Sequence, residues 1–173
     1  MSDPIWLKQA RKYVGVTEVK GPHHNPQIIK FLDEADGKSG DGKSLQGIRD
    51  DETPWCATFV SAVFEEVGIQ SMRSAWARSY LKFGNELDGP AVGAVVVFER
   101  GPTSGHVGFV AGKDVAGNII VLGGNQGDMV KLSPFNRGRV LSYRWPKGYD
   151  EPACGMSALP VVGSDGRIST NEA

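Results

Sequence analysis

The spacing of hydrophobic positions changes near Gly84. Before it the period is helical. Ile5, Trp6, Ala10, Tyr13 and Val14 form a stripe ending at Gly15, with Asp3 a capping side chain ahead of Pro4 in the first turn. Asn25-Pro26 opens a second helix carrying Ile28, Ile29, Phe31 and Leu32, which stops near Gly37. The third signal is the clearest. Thr53 is a cap, Pro54 fits the first turn, Phe59, Val60, Val63, Phe64 and Val67 repeat at helical spacing, and Gly68 stops the run. A shorter fourth helix is predicted from Ser74 to just before Gly84, with Trp76, Tyr80, Leu81 and Phe83 as its apolar positions.

After Gly84 short runs alternate with turn residues. Ala94–Phe98, His106–Ala111, Asn118–Leu122 and Val140–Tyr143 read as strands, and Val130–Leu132 adds another. Helices first and strands later predict an α+β domain with an antiparallel sheet. The stretch 37–52 is polar and glycine-rich and reads as a long exposed loop. From Lys147 the periodicity dissolves, so the expected organisation is one domain over 1–146 and a loosely structured tail over 147–173.

Composition narrows the classes. A chain of 173 residues with 40% hydrophobic and 23% charged positions buries a core without staples and is not a disordered polymer. Its 19 basic and 20 acidic residues argue against a polyanion binder, so nucleic acid is not an expected partner. No apolar run approaches the roughly 18–20 residues needed to cross a bilayer. The N-terminus lacks the basic–apolar–small order of a secretory signal, which predicts synthesis in the cytoplasm. Cys56 and Cys154 are too few for a disulfide framework or a thiolate zinc site, and the adjacent His23 and His24 are poorly spaced to share an ion, so no metal or cofactor is expected.

The chemistry then concentrates in three places. Cys56 is predicted two residues into the third helix, where the helix dipole and the first-turn N–H groups favour a thiolate and a developing oxyanion. The alternative is a small buried hydrophobe. His106 opens a strand in Gly105-His106-Val107-Gly108-Phe109, with Gly108 and Val110 on its face and Val107 and Phe109 on the other. It is either a general base for a nucleophilic cysteine or a satisfied strand-edge histidine. If the strands over 106–111 and 118–122 form a hairpin, Gly123-Gly124-Asn125-Gln126-Gly127 returns beside His106. Asn125 would then orient the imidazole, with Gln126 competing for that role or acting as an oxyanion donor.

The segments Asp51-Glu52-Thr53-Pro54-Trp55-Cys56-Ala57-Thr58-Phe59-Val60, Gly105–Phe109 and Val121–Gln126, in this order, resemble the NlpC-type and CHAP superfamily of cysteine peptidoglycan hydrolases. Within it they resemble small single-domain phage and prophage lysins. The resemblance runs from Trp6 to Arg144. It implies a papain-like fold and hydrolysis of an amide bond in cell-wall stem peptides through a thioester. It assigns Cys56 as nucleophile and backbone oxyanion donor, His106 as general base and acid, and Asn125 as the third, polar member. Trp55, Gln126 and Trp76 are the substrate-contact candidates, with the loop over 37–52 and the stretch around Trp76–Arg78 walling the groove. The implied partner is peptidoglycan, acted on by a monomer without membrane insertion. Delivery to the periplasm or wall is expected through holin pores, as for an endolysin, or through a secretion machine, as for an effector with a cognate immunity protein. The alternatives are a same-fold hydrolase or acyltransferase on another amide or lipid, and a non-catalytic wall-binding or virion module.

Overall fold

Local start signals settle the helices only in part. In the computed structural model, which describes residues 2–37, 45, 47–164 and 167–169, three α-helices precede the strands: α1 (Ile5–Arg11), α2 (Pro26–Ala35) and α3 (Cys56–Glu66). Asn25 caps α2 as expected, its side chain accepting from Gln27 N–H at 2.8 Å. Asp3 does not cap α1; Pro4 holds that position and the Asp3 carboxylate instead pairs with Arg11 Nε at 2.5 Å. Thr53 does not cap α3 either. Its N–H and hydroxyl both bond to the Asp50 carboxylate, at 2.6 and 3.1 Å, which closes a turn ahead of the helix. α3 therefore begins at Cys56 itself, with Trp55 as the residue before it. The predicted fourth helix is a 3₁₀ segment, Ala77–Lys82, tied to α3 by the Tyr80 hydroxyl 2.7 Å from Ser61 Oγ.

The strands are β1 (Asn85–Leu87), β2 (Val95–Glu99), β3 (Gly105–Lys113), β4 (Ile119–Gly123), β5 (Lys131–Phe135) and β6 (Val140–Trp145). They form one antiparallel sheet in the order β1-β6-β2-β3-β4-β5. β1 is the strand that the hydrophobic pattern did not signal: Asn85 and Glu86 are exposed and only Leu87 is buried. α3 lies on one face, where Phe109 of β3 meets Phe59 and Phe64 edge-on, with ring centroids 6.5 and 5.4 Å apart. α2 packs on α3 in turn through Phe31 against Phe59.

The sheet is strongly curled. Adjacent strands lie about 4.8 Å apart, so Phe98 on β2 and Phe135 on β5, three strands away, would be about 14 Å apart in a flat sheet. Their ring centroids are 4.5 Å apart. Register shifts between Val97 and Phe98 and between Val110 and Gly112 supply the bending, as bulges do. The concave face thus closes over its own aromatic side chains.

The expected loose tail is packed against the sheet over its described residues. Val161 bridges Lys113 in parallel, and Lys113 N–H bonds to Pro160 O at 2.9 Å. Leu159 is buried, and Ser169 N–H reaches Pro134 O on β5 at 2.8 Å. Backbone pairing to strand edges needs no side-chain periodicity, which is why the pattern from Lys147 onward concealed it. No helix among the described residues is long and apolar enough to cross a membrane.

Candidate active site

Cys56 is the first residue of α3, two positions nearer the helix start than expected. Its backbone N–H belongs to the turn whose amides have no acceptor within the helix, and the dipole there favours negative charge. His106 is the second residue of β3 and is fully buried. The exit of β4 brings the two elements together. A side chain at Gly123 would stand 3.3 Å from His106 Nε2, and one at Gly124 would stand 2.7 Å from both Phe59 Cβ and Trp55 Cζ3, the first lying three residues after Cys56 and the second immediately before it. The Gly-Gly pair is therefore the close approach that lets the start of α3 and the start of β3 share one end of the sheet.

The hydrogen bond to the imidazole comes from Gln126. Its Oε1 lies 3.0 Å from His106 Nε2, while its Nε2 donates to Val121 O at 3.1 Å and Lys131 O at 2.7 Å. Gln126, the competing candidate for the orienting role, is thus hydrogen-bonded to the ring. Asn125 sits in the left-handed region at φ 55°, making the turn, and the longer Gln126 side chain folds back over Gly123. Two carbonyl acceptors fix the amide nitrogen of Gln126, so Oε1 must face the ring and Nε2 of His106 must carry the proton. In the neutral imidazole the lone pair is then on Nδ1, a buried atom.

The ring faces are packed as well. Phe135 stacks on His106 with centroids 5.3 Å apart and planes 6° apart, and Phe98 stacks on Phe135. Neither phenylalanine stood out in the sequence, because their meeting depends on the curl of the sheet.

A strap over residues 15–19 joins the two halves of the site. Gly15 N–H bonds to Val130 O, Val130 N–H to Val16 O and Glu18 N–H to Asp128 O, each at 2.8 Å, while Gln126 N–H bonds to Met129 O at 3.0 Å. At its other end Val19 N–H donates to Asp51 Oδ2 at 2.8 Å. Asp51 is fully buried and also accepts from Asn25 N–H and lies 2.9 Å from His24 Nδ1. Burial raises its pKa, but the bonds from Asn25, Val19 and His24 outweigh it, and the carboxyl sits below its ordinary value. Glu52 accepts from Gly21 N–H. The Asp51-Glu52 pair therefore anchors the chain between α1 and α2 to the segment leading into α3. His24 is part of that anchor, and no group of three or more His, Cys, Asp or Glu among the described residues is placed to hold a metal ion.

The substrate-contact candidates separate. Trp55 is 1% exposed, stacks on Phe31 and donates to Glu18 Oε2 at 3.4 Å, so it supports the helix start from inside. Burial pushes the Glu18 carboxyl up, against the lowering bond from Trp55. Gln126 is buried and spends its amide on protein groups. Trp76 is 73% exposed, and two residues on, Arg78 braces the loop before β3 by donating to Ser104 O and Gly101 O. Of the loop over 37–52, residues 38–44 and 46 lie outside the described residues. Cys154 is exposed in the tail, its thiol 3.3 Å from Pro152 O.

A helix that starts on a cysteine and packs against a curled antiparallel sheet carrying a histidine defines a papain-like α+β domain. Residues 48–125 match the CHAP domain family, which supports a likeness to the CHAP/NlpC-type superfamily. That family is generally hydrolytic on peptidoglycan, as an amidase or peptidase. The matched span includes Cys56, His106 and Asn125 and ends one residue before Gln126. No curated protein matches the chain.

Proposed function

We propose that this protein hydrolyses an amide bond in peptidoglycan stem peptides with Cys56 as nucleophile and His106 as general base. The observation that carries the reading is the Gln126–His106 hydrogen bond, which directs the imidazole lone pair to Nδ1 at the end of the sheet shared with the start of α3.

His106 Nδ1 takes the Cys56 thiol proton, and the helix start favours the resulting thiolate. The sulfur attacks the amide carbonyl carbon, and the oxygen gathers negative charge toward the Cys56 backbone N–H. The carbon–nitrogen bond breaks as His106 returns its proton to the leaving amine, which leaves a thioester. His106 then takes a proton from water, the hydroxide displaces the sulfur, and a carboxylic acid departs. Gln126 holds the ring through both proton transfers, and exposed Trp76 is a contact for substrate at the rim. No step calls on a metal.

The site of action is the cell wall. An endolysin released through holin pores and an effector injected with a cognate immunity protein both fit this chemistry, and both predict lysis when the chain is directed to the periplasm.

The test is incubation of purified protein with sacculi and mass spectrometry of the soluble fragments. Release by the wild type, lost in Cys56→Ala and His106→Ala and kept in Cys154→Ser, is the expected result, and the fragment masses name the bond. Equal release by Cys56→Ala overturns the assignment of the nucleophile.

A further inference from the structure

We propose that Phe135 is a positioning residue for His106: its ring, stacked flat on the imidazole, sets the plane in which Nδ1 points. The proposal rests on the reading of His106 as the base for Cys56.

Two constraints are needed to aim an imidazole nitrogen. A hydrogen bond in the ring plane fixes rotation within that plane, and Gln126 supplies it at Nε2. It does not fix the tilt of the plane, because the torsion about the bond to the ring is broad. Tilt is fixed by what lies against the faces. Phe135 covers one face at 5.3 Å between centroids and 6° between planes, a nearly parallel contact. The phenyl ring is itself held. Phe98 stacks on it at 4.5 Å and 20°, and the Arg139 guanidinium carbon stands 5.8 Å from its centroid. Arg139 is tied in turn to Glu99 O and Ser169 O, at 3.1 and 3.0 Å. The stack thus runs from the tail and the end of β2 to the imidazole.

A filler of apolar volume would not need this geometry. Leucine occupies much the same space and keeps the contact dry, yet offers no flat face. Arg139 stands at Phe135, and the Arg78 side chain lies along Gly105, the residue before His106.

The experiment follows alkylation of Cys56 by iodoacetamide against pH, in a Cys154→Ser background so that one thiol reports. This reads the coupling of Cys56 to His106 without a wall substrate. Alkylation of the parent protein below the ordinary thiol range, lost in His106→Ala, establishes the coupling. Its absence in the parent removes the reading of His106 as base, and the proposal with it. With the coupling established, Phe135→Leu is expected to slow alkylation at pH 6 by about tenfold or more toward the His106→Ala rate. Phe64→Leu, a core truncation on the α3 face of the sheet, is expected to leave the profile unchanged. Circular dichroism checks that both variants are folded at the assay temperature. A Phe135→Leu profile equal to the parent's, or an equal change in Phe64→Leu, overturns the proposal. Should Phe135→Leu not fold, the imidazole protons of His106 in the parent protein decide. Ring-current displacement upfield, assigned by its loss in His106→Gln, upholds the stack, and shifts typical of a solvated histidine overturn it.

Discussion

Gln126 Oε1 lies 3.0 Å from His106 Nε2, and the same amide gives both its protons to backbone carbonyls on β4 and β5. The imidazole is therefore oriented by an acceptor that cannot turn around. A glutamine doing this work keeps the site neutral where a carboxylate would add charge beside the ring.

Gln126→Leu is expected to lower kcat by roughly 10- to 100-fold with a small change in KM, since a hydrogen bond to a group that becomes charged is worth about 1.5–3 kcal/mol. Asn125→Gly, which suits the φ of 55° at that position, is expected to cost far less. Steady-state kinetics on soluble muropeptides separates the two. A greater loss in Asn125→Gly would return the orienting role to Asn125.

Gly124→Ala is expected to destabilise the fold by about 1–3 kcal/mol, the usual range for overpacking. The added methyl would meet Phe59 Cβ and the Trp55 ring at 2.7 Å, and the first of these is a stem atom that moves only with the α3 backbone. Denaturant unfolding measures the loss, and an unchanged midpoint would show that the start of α3 yields easily.

Asp51 makes stability depend on acid. Its folded pKa lies below the unfolded value, so its contribution is present above the unfolded pKa, about 3.9, and is lost as pH falls through the lower folded value. Asp51→Asn is expected to lower Tm at pH 7, with the gap from wild type closing as pH drops below about 4. Thermal unfolding from pH 2 to 8 checks this; a constant gap would place the effect in packing alone.

Glu34 works in the opposite sense. Burial, and then the neighbouring Glu66, raise its pKa to about 7, although Lys30 Nζ lies 3.2 Å from Oε1. Burial pushes Glu66 up, but the hydrogen bond from Glu34, then those from Tyr13 and Gln9 at 2.6 and 2.7 Å, outweigh it and bring it down, so the shared proton stays on Glu34. A raised carboxyl gives stability fully present below the unfolded value, about 4.3, and lost as pH rises toward 7. Glu34→Gln, neutral at every pH and still a donor to Glu66, is expected to flatten that decline and raise stability at pH 8 by up to about 3 kcal/mol. Calorimetry across pH 4–9 gives the answer, and a decline that persists in Glu34→Gln would move the titration to another group.

The order of elements, the cysteine at a helix start and the histidine at a strand start were legible because each follows from local spacing and turn chemistry. Asn25 capped its helix for the same reason. Thr53 did not, because Asp50 three residues earlier took both its donors, a competition that propensity leaves undecided. The hairpin argument brought residues 123–127 to His106 but left Asn125 and Gln126 open, since the choice depends on a left-handed turn and on reach. Phe135, Phe98 and the role of Asp51 were not legible. They depend on contacts between segments far apart in the chain, set by sheet curl and by a buried carboxylate whose partners are mostly backbone amides.

The strap over residues 15–19 has a consequence for the order of folding. It is bonded at one end to Asp51, at the approach to Cys56, and along its length to the 128–130 segment that carries the turn of Gln126. The contacts that complete the site thus span more than a hundred residues, and loop-closure entropy delays such contacts relative to helices and hairpins. A refolding chain would regain its far-ultraviolet signal first and the packing of the site afterwards, so a partly folded chain emerging from the ribosome would hold Cys56 and His106 on formed elements without yet having brought those elements together.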